Sequence, residues 1–214
     1  MPHLTEAMTS KNKAPLLILI SAPSGGGKTT LCDLLLQART DMTRAVTCTT
    51  RAPRPGEKNG VDYHFFTAEE FLKRVQAGNF LENATVYGNS YGLLKSELLG
   101  KLRAGQDVLL NVDVQGAATI RAAAQKEPEL KAALITVFLT PPSVEILEAR
   151  LKRRGTDTEA VIRKRLAVAR QEAGQWKNFD YLLISTSKAE DLRRMQAIVE
   201  TEKMRVARSV APEF

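Results

Sequence analysis

Short apolar runs alternate with segments of helical spacing along most of the chain. Five of these runs have the length and aliphatic content of buried strands. They lie at residues 16–21, 45–49, 108–113, 134–139 and 181–185. After the first run, apolar residues between Leu31 and Ala38 recur at i, i+3, i+4 and i+7, which is the spacing of one helix face. The alternation predicts an α/β fold with a three-layer core, in which helices cover both faces of a parallel sheet.

Two stretches depart from this alternation. Residues 51–92 are rich in Pro, Gly, Asn and aromatic residues, which predicts an inserted substrate lobe. Residues 150–170 carry a basic helix, turn, helix pattern around Gly155, which predicts a mobile lid. The expected divisions are a loose tail at residues 1–14, a core at 15–46, 93–149 and 171–214, a lobe at 47–92 and a lid at 150–170.

The composition is that of an ordinary globular protein. Of the 214 residues, 43% are hydrophobic and 26% are charged, which argues against the disordered, fibrous and membrane classes. The aliphatic run at residues 16–20 is too short for a signal peptide or a membrane span, so we expect a cytoplasmic protein without a membrane partner. A formal net charge of +7 favours anionic ligands without choosing among them. Cys32 and Cys48 have no metal-ligand or CxxC spacing, which predicts two buried thiols.

A glycine-rich stretch follows the first predicted strand and leads directly into a helix. Gly25 to Gly27 let backbone N–H groups converge on one anion, and the helix N-terminus adds partial positive charge. Lys28 is placed to reach the β and γ oxygens of ATP, and Thr29 to offer its hydroxyl to Mg²⁺ on the same phosphates. These features in register predict a P-loop. The predicted ATP-binding residues are Ala22, Pro23, Ser24, Gly25, Gly26, Gly27, Lys28, Thr29 and Thr30.

A second motif lies in the proline-rich stretch, and further segments accompany it. They are Thr49-Thr50-Arg51-Ala52-Pro53-Arg54-Pro55-Gly56-Glu57, Asn59-Gly60-Val61-Asp62-Tyr63, Gly88-Asn89-Ser90-Tyr91-Gly92, Asp113-Val114-Gln115-Gly116 and Arg154-Gly155-Thr156-Asp157. With Glu82, they make the chain resemble the guanylate kinase family from residue 16 to about 185. The resemblance implies phosphoryl transfer from ATP, bound with Mg²⁺, to GMP held by the lobe at 47–92.

The acceptor phosphate has a physical counterpart in this motif. A nucleoside monophosphate carries a dianionic phosphate, and Arg51 and Arg54 can grip it with bidentate forks. The hydroxyls of Tyr63 and Tyr91 can complete the cage. The resemblance assigns these four residues to the GMP phosphate.

The resemblance also assigns three residues to the guanine base. Glu82 would accept from N1–H and the N2 amino group, with Thr47 near O6 and Asp113 near the amino group. Adenine would instead present a lone pair to the carboxylate, and a bidentate base contact contributes about 1–3 kcal/mol of discrimination. GMP is therefore expected over AMP.

Transfer between two nucleotides requires no general base, because the attacking phosphate oxygen is already ionised. Catalysis then depends on in-line positioning and on neutralisation of charge. The resemblance assigns three lid arginines to the ATP phosphates and the transferring group. The expected catalytic residues are Lys28, Arg51, Arg150, Arg154 and Arg165.

Four places differ from the expected pattern. Ala22 stands where the P-loop motif begins with Gly, which requires a negative φ there. Leu93 replaces a Ser or Thr of the lobe, and Asn111 replaces an acid near the expected Mg²⁺. Ser185-Thr186 replaces an Asn-Asp pair expected at the adenine. The last three changes bear on GMP affinity, metal affinity and donor preference, respectively.

Three other functions share some of these features. A related P-loop kinase could use another phosphorylated acceptor, although Glu82 and Asp113 favour guanine. A non-catalytic guanylate-kinase-like module binds a phosphorylated peptide in the same pocket, but a degraded P-loop marks that class. Nucleic-acid binding draws only on the positive charge. ATP and GMP are therefore the expected partners, nucleic acid is not, and the oligomeric state stays open.

Overall fold

A computed structural model describes residues 14–86, 88–153 and 159–209. The strands are β1 Leu17–Ser21, β2 Met42–Arg44, β3 Cys48–Thr49, β4 His64–Phe65, β5 Phe80–Val86, β6 Asn89–Leu94, β7 Asp107–Asn111, β8 Leu134–Thr140 and β9 Tyr181–Ile184. The helices are α1 Lys28–Ala38, α2 Ala68–Gln76, α3 Lys95–Arg103, α4 Val114–Ala124, α5 Pro128–Ala133, α6 Val144–Arg153, α7 Glu159–Ala173 and α8 Lys188–Lys203. Short 3₁₀ helices occupy Gly174–Asn178 and Val206–Arg208.

The main sheet confirms the predicted α/β architecture. Its order is β2-β7-β1-β8-β9, and every neighbouring pair is parallel. Central strand β1 is fully buried because helices cover both faces. Ile18 and Ile20 belong to one core cluster with residues of α1 and α8, whereas Leu17 and Leu19 belong to a second cluster with residues of α3, α4 and α5. This alternation along β1 produces the three layers.

Four of the five predicted strands are confirmed, and the fifth is wrong as a strand of the main sheet. The run at residues 45–49 does not form one strand of the main sheet. Strand β2 ends at Arg44, and the chain then crosses to a second sheet. At the crossing, the Val46 amide donates to Glu97 Oε1 at 3.0 Å instead of to a strand. Only Cys48 and Thr49 pair again, in the smaller sheet. Apolar content does not distinguish these two environments.

The second sheet has the order β4-β3-β6-β5 and spans Cys48 to Leu94. Its strands β5 and β6 form an antiparallel hairpin, and α2 packs on it through Phe71, whose ring stacks on Phe80 at 4.5 Å. A Cβ at Gly92 would lie 2.8 Å from the Phe80 ring, so this strand position requires glycine. The loop between β3 and β4 carries Arg51, Arg54 and Glu57 at the end of this sheet.

Helices α6 and α7 pack against each other around their own apolar cluster. Leu147 and Leu151 of α6 meet Ile162, Leu166 and Ala169 of α7. Both helices extend beyond the division expected at residues 150–170. Among the described residues, no helix combines the length and apolarity that a membrane crossing requires.

A buried ion pair fixes the start of the main sheet to α8. Asp107, at the start of β7, accepts from the Leu16 amide at 3.0 Å, and its other oxygen lies 2.7 Å from Lys203 Nζ. The Asp107 side chain is 3% exposed, and Lys203 also contacts Asp41 at 3.0 Å. These contacts raise the pKa of Lys203 against the opposing effect of its burial. Loss of Lys203 would leave a buried carboxylate without a cation.

We expect Lys203→Met to lower the free energy of unfolding by about 3 kcal/mol, since an unpaired buried charge is costly. Lys73→Met is the matched control, because Lys73 pairs with Glu69 on the open surface of α2. Its loss should cost under about 0.5 kcal/mol. Urea unfolding followed by circular dichroism measures both, and equal effects would contradict this account of Asp107.

Candidate active site

The glycine-rich loop joins the end of β1 to the start of α1, at the carboxyl edge of the main sheet. Gly25 has a φ of 85° and Gly27 a φ of 99°, conformations that favour glycine. The Gly26 amide donates to the Pro23 carbonyl at 2.8 Å, which closes the first turn of the loop. Gly27 caps α1 without a side-chain bond. The first amides of the helix are therefore available to an anion.

The space around Gly26 is too small for a larger side chain. A Cβ there would lie 2.9 Å from the Ala22 Cβ and 3.0 Å from the Pro23 carbonyl oxygen. Ala22 is buried at 3% exposure, and its Cβ limits the space at Gly26. The loop therefore holds its shape through packing at Gly26 and conformation at Gly25 and Gly27.

Lys28 spans the carboxyl edge of the sheet. Its Nζ donates to the Val112 carbonyl at 2.8 Å, just beyond the end of β7. Burial lowers the pKa of Lys28, and the carboxylate of Asp113 partly opposes that shift. Asp113 accepts from the Gly116 amide at 2.7 Å and so caps α4. The predicted strand at 108–113 therefore ends two residues early, and Asp113 faces the loop from a helix start.

A cavity of about 290 Å³ lies inside the loop, lined by residues 22–30 together with Asp113 and Glu172. Thr29 and Thr30 are exposed at the start of α1. Hydroxyl and carboxylate oxygens are hard ligands of the kind Mg²⁺ prefers, and this ion usually retains waters and phosphate ligands. The described residues contain no group of three His, Cys, Asp or Glu able to hold a metal. The donor set therefore fits Mg²⁺ that arrives with phosphates.

Arg150 of α6 contacts the loop directly. Its guanidinium donates to the Gly26 carbonyl at 3.3 Å and to Ser185 Oγ at 3.0 Å. Ser185 is 4% exposed and donates in turn to Asp191 at 2.7 Å. Asp191 also accepts from the Thr186 amide at 2.9 Å. Ser185 thus orients Arg150, and a second cavity of about 720 Å³ lies beside these residues.

Arg51 lies in the loop that follows β3 and pairs with Glu57, to which the sequence analysis gave no role. Its NH2 lies 2.9 Å and 3.0 Å from the two oxygens of Glu57. Its NH1 donates to the Ala52 carbonyl, and its guanidinium lies 5.5 Å from the centre of the Tyr63 ring. Hydrogen bonds from Arg51 and then from the Arg54 amide lower the pKa of Glu57. Arg51 is therefore presented in one orientation by an anion.

The two predicted tyrosines lie together beside Arg51. The Tyr63 and Tyr91 rings meet edge to face, with centroids 6.3 Å apart. A hydrogen bond with Tyr91 raises the pKa of Arg51, after the larger effect of Glu57. The Arg54 side chain is exposed, and only its backbone amide bonds to Glu57, at 2.7 Å. The structure therefore brings together Arg51, Tyr63 and Tyr91 and leaves the Arg54 guanidinium on the surface.

A third cavity, of about 520 Å³, lies between the two sheets. Glu82, Thr47 and Tyr63 line it from the smaller sheet, and Asn111 and Val112 from the main sheet. Burial, and secondarily Asp113, raise the pKa of Glu82. Leu93 is 1% exposed at the wall of this cavity and packs in the core. A hydroxyl at that position would lie in an apolar setting.

Two predicted residues remain, Arg154 and Arg165. Arg165 is half-buried on α7. Arg154 lies outside the described residues. Glu172 was not identified from the sequence, yet it contacts the loop. The sequence contained a hint of the role of Glu57, because this residue ends the quoted motif three residues after Arg54. It contained no such hint for Glu172, which is a single acid near the end of a basic helix.

Comparison with known proteins gives one consistent family. The family model described as guanylate kinase matches residues 14–202. The chain is 39% identical over 212 residues to a guanylate kinase of Paramagnetospirillum magneticum, covering 99% of this chain and 96% of that one. It is 42% identical to the guanylate kinase of Idiomarina loihiensis, with coverage of 93% and 92%. The crystal structure of guanylate kinase from Anaplasma phagocytophilum superposes with a TM-score of 0.68 at 30% identity, covering 93% and 92%.

We expect Gly26→Ala to weaken nucleoside triphosphate binding by about tenfold or more, because the added methyl must displace Ala22 or the Pro23 carbonyl. Gly100→Ala in α3 is the control, since a Cβ there meets nothing within 4 Å. That variant should bind normally and gain about 0.5–1 kcal/mol of stability. Isothermal titration calorimetry with ATP measures the affinities. Unchanged binding in Gly26→Ala would contradict the assigned loop geometry.

Proposed function

The chain belongs to the guanylate kinase family, whose activity is transfer of the terminal phosphoryl group of ATP to GMP, and we propose that this transfer occurs across the Val112–Asp113 segment. One observation carries the proposal. Val112 accepts from Lys28 at the loop and also lines the cavity that contains Glu82. Asp113 acts electrostatically on both Lys28 and Glu82. The donor and acceptor cavities therefore adjoin at two consecutive residues.

The donor site uses the loop and its helix. The cavity lined by residues 22–30 receives the ATP phosphates at the start of α1, and Lys28 neutralises their β and γ oxygens. Thr29 would hold Mg²⁺ together with those phosphates, where the ion stabilises the developing charge. Arg150 faces the same loop from α6. Its bond to Ser185 orients it before any nucleotide binds.

The acceptor site holds the GMP phosphate with Arg51, Tyr63 and Tyr91. Glu57 presents the Arg51 guanidinium toward that site, and the incoming dianion competes with Glu57 for the same N–H groups. Arg54 reaches the phosphate only by turning inward from its exposed position. Arg51 is therefore the preformed part of the cage.

The guanine base is read by Glu82, with Thr47 and Asp113 beside it. The Glu82 carboxylate lines the cavity between the sheets and is partly buried there. When ionised, it accepts both N1–H and the N2 amino group, and adenine leaves it unpaired. The ribose 2′-hydroxyl is not needed for this contact, so dGMP is also an acceptor in this proposal.

Transfer itself then requires alignment and charge neutralisation. The attacking oxygen belongs to an ionised phosphate, so the chain supplies no base. Lys28, Arg51 and Arg150 surround the path, and Arg154 and Arg165 join them by resemblance to the family. We assign GMP binding to the lobe at about 47–92 and closure over the nucleotides to the lid at about 150–170. Two free buried thiols support a cytoplasmic location.

A coupled assay of ADP formation from ATP and Mg²⁺ tests the activity. We expect turnover with GMP and little with AMP, CMP or UMP. Lys28→Ala should lose about 10²-fold or more in kcat, because a preorganised charge is removed from the developing phosphate charge. Lys131→Ala, an exposed lysine of α5, is the control and should retain full turnover. GMP binding without turnover would instead identify a binding module.

The Glu82 assignment makes a prediction about pH. Its pKa is raised, and only the ionised form accepts both guanine donors, so GMP affinity is complete above that pKa and is lost as the pH falls through it. The KM for GMP should therefore rise as the pH is lowered from neutrality toward that pKa. Glu82→Gln should raise that KM about tenfold or more and reduce the preference over AMP.

The GMP phosphate also titrates, with a pKa of about 6. This titration is the same for wild type and for Glu82→Gln, so the difference between their pH profiles of KM reports the Glu82 carboxylate alone. Glu69→Gln, on the surface of α2, serves as a charge control. Parallel profiles for wild type and Glu82→Gln would remove Glu82 from guanine recognition.

A further inference from the structure

A carboxylate from α7 reaches into the P-loop. Glu172 Oε2 accepts a hydrogen bond from the Ser24 backbone N–H at 3.1 Å, although the two residues are 148 positions apart. Glu172 also lines the loop cavity and acts electrostatically on Lys28. One amide of the anion cradle is therefore already bonded to an anion of the chain itself.

Packing holds this contact in place. Ala169, one helical turn before Glu172, is fully buried in the cluster that joins α6 and α7. Leu151 of the same cluster lies against Gly25, where an added Cβ would approach it to 2.8 Å. The cluster thus rests on the loop beside Ser24. These contacts hold the end of α7 against the loop, within reach of the Glu172 carboxylate.

A phosphate entering this cavity meets two effects of Glu172. The carboxylate holds the Ser24 N–H, so one backbone donor is unavailable until the bond breaks. Its negative charge also repels the phosphate in a partly buried setting, where screening by water is weak. Both effects oppose the attraction of Lys28 and the helix N-terminus.

We propose that Glu172 is an internal competitor for the donor phosphates: its carboxylate occupies the Ser24 amide in the empty enzyme and leaves it when a phosphate enters. This inference rests on the proposed use of the P-loop by ATP. Glu172 weakens the affinity for donor and product nucleotide alike, which favours release of ADP after transfer. It is a positioning residue of the loop and takes no part in the chemical step.

The test separates the charge of Glu172 from its hydrogen bond. Glu172→Gln retains an oxygen that accepts from Ser24 but removes the charge, and Glu172→Ala removes both. Calorimetric titration with ADP, ATP and inorganic pyrophosphate in EDTA measures phosphate affinity without a metal ion. We expect Glu172→Gln to bind about tenfold more tightly than wild type through loss of the charge, and Glu172→Ala to bind at least as tightly as Glu172→Gln because the Ser24 amide is also released. The effect with pyrophosphate shows that it concerns phosphate and not the base.

Glu159→Gln is the matched control. It removes the same charge from the same helix, about 20 Å from Glu172 along the axis, and its side chain is exposed. Its affinities should equal those of wild type. Lys28→Ala should lose binding of all three ligands, which identifies the P-loop as the site titrated.

Two results would overturn the inference. If Glu172→Gln binds like wild type while Glu172→Ala binds more weakly, Glu172 only shapes the loop. If Glu172→Gln binds more weakly, the carboxylate assists the phosphates. Absence of ATP and pyrophosphate binding by wild type would contradict the proposed function, and the inference with it. Retained binding without a charge effect contradicts the inference alone.

Discussion

The bond from Lys28 Nζ to the Val112 carbonyl is the contact on which the arrangement of both cavities depends. It connects the start of α1, which follows β1, to the residue after β7. Strands β1 and β7 are parallel neighbours in the main sheet. Parallel strands place their carboxyl ends at one edge, so the loop after β1 and the segment after β7 must meet there. The smaller sheet lies over the same edge. The cavity inside the loop and the cavity between the sheets then adjoin at Val112 and Asp113.

Both anion cradles bond to carboxylates of the chain itself. Glu57 pairs with Arg51 in the proposed acceptor site, and Glu172 bonds to Ser24 in the proposed donor site. An unpaired polar group away from water is costly, so each carboxylate satisfies a group of the empty cavity. The two differ in one respect. Glu57 lies on the same loop as Arg51, three residues after Arg54. Glu172 instead lies on α7, so its bond to Ser24 joins the P-loop to a helix distant in sequence.

The sequence predicted those features that depend on local pattern. The P-loop was recognisable because strand, glycines, Lys28 and helix occur in fixed register, and most strands of the main sheet were recognisable as short apolar runs. The passage of residues 45–49 from the main sheet to the smaller one was not, since buried segments of either sheet have the same composition. Glu172 was also missed, because its role depends on how α7 packs and not on its neighbours in sequence. Tertiary contacts of single polar residues carry no periodic signal.

The replacement at Ser185-Thr186 shows how a change in pattern is accommodated by its surroundings. The resemblance leads one to expect an amide and an acid at the adenine, yet Ser185 is buried and bonds to Arg150 and Asp191. Asp191, from the first turn of α8, supplies the acid by accepting from both Ser185 and the Thr186 amide. Its two oxygens are engaged within the fold, so it orients Arg150 through Ser185. Ser185 therefore serves Arg150 and the fold, and the side chains of Thr30 and Lys188 line the same cavity without taking part in this network.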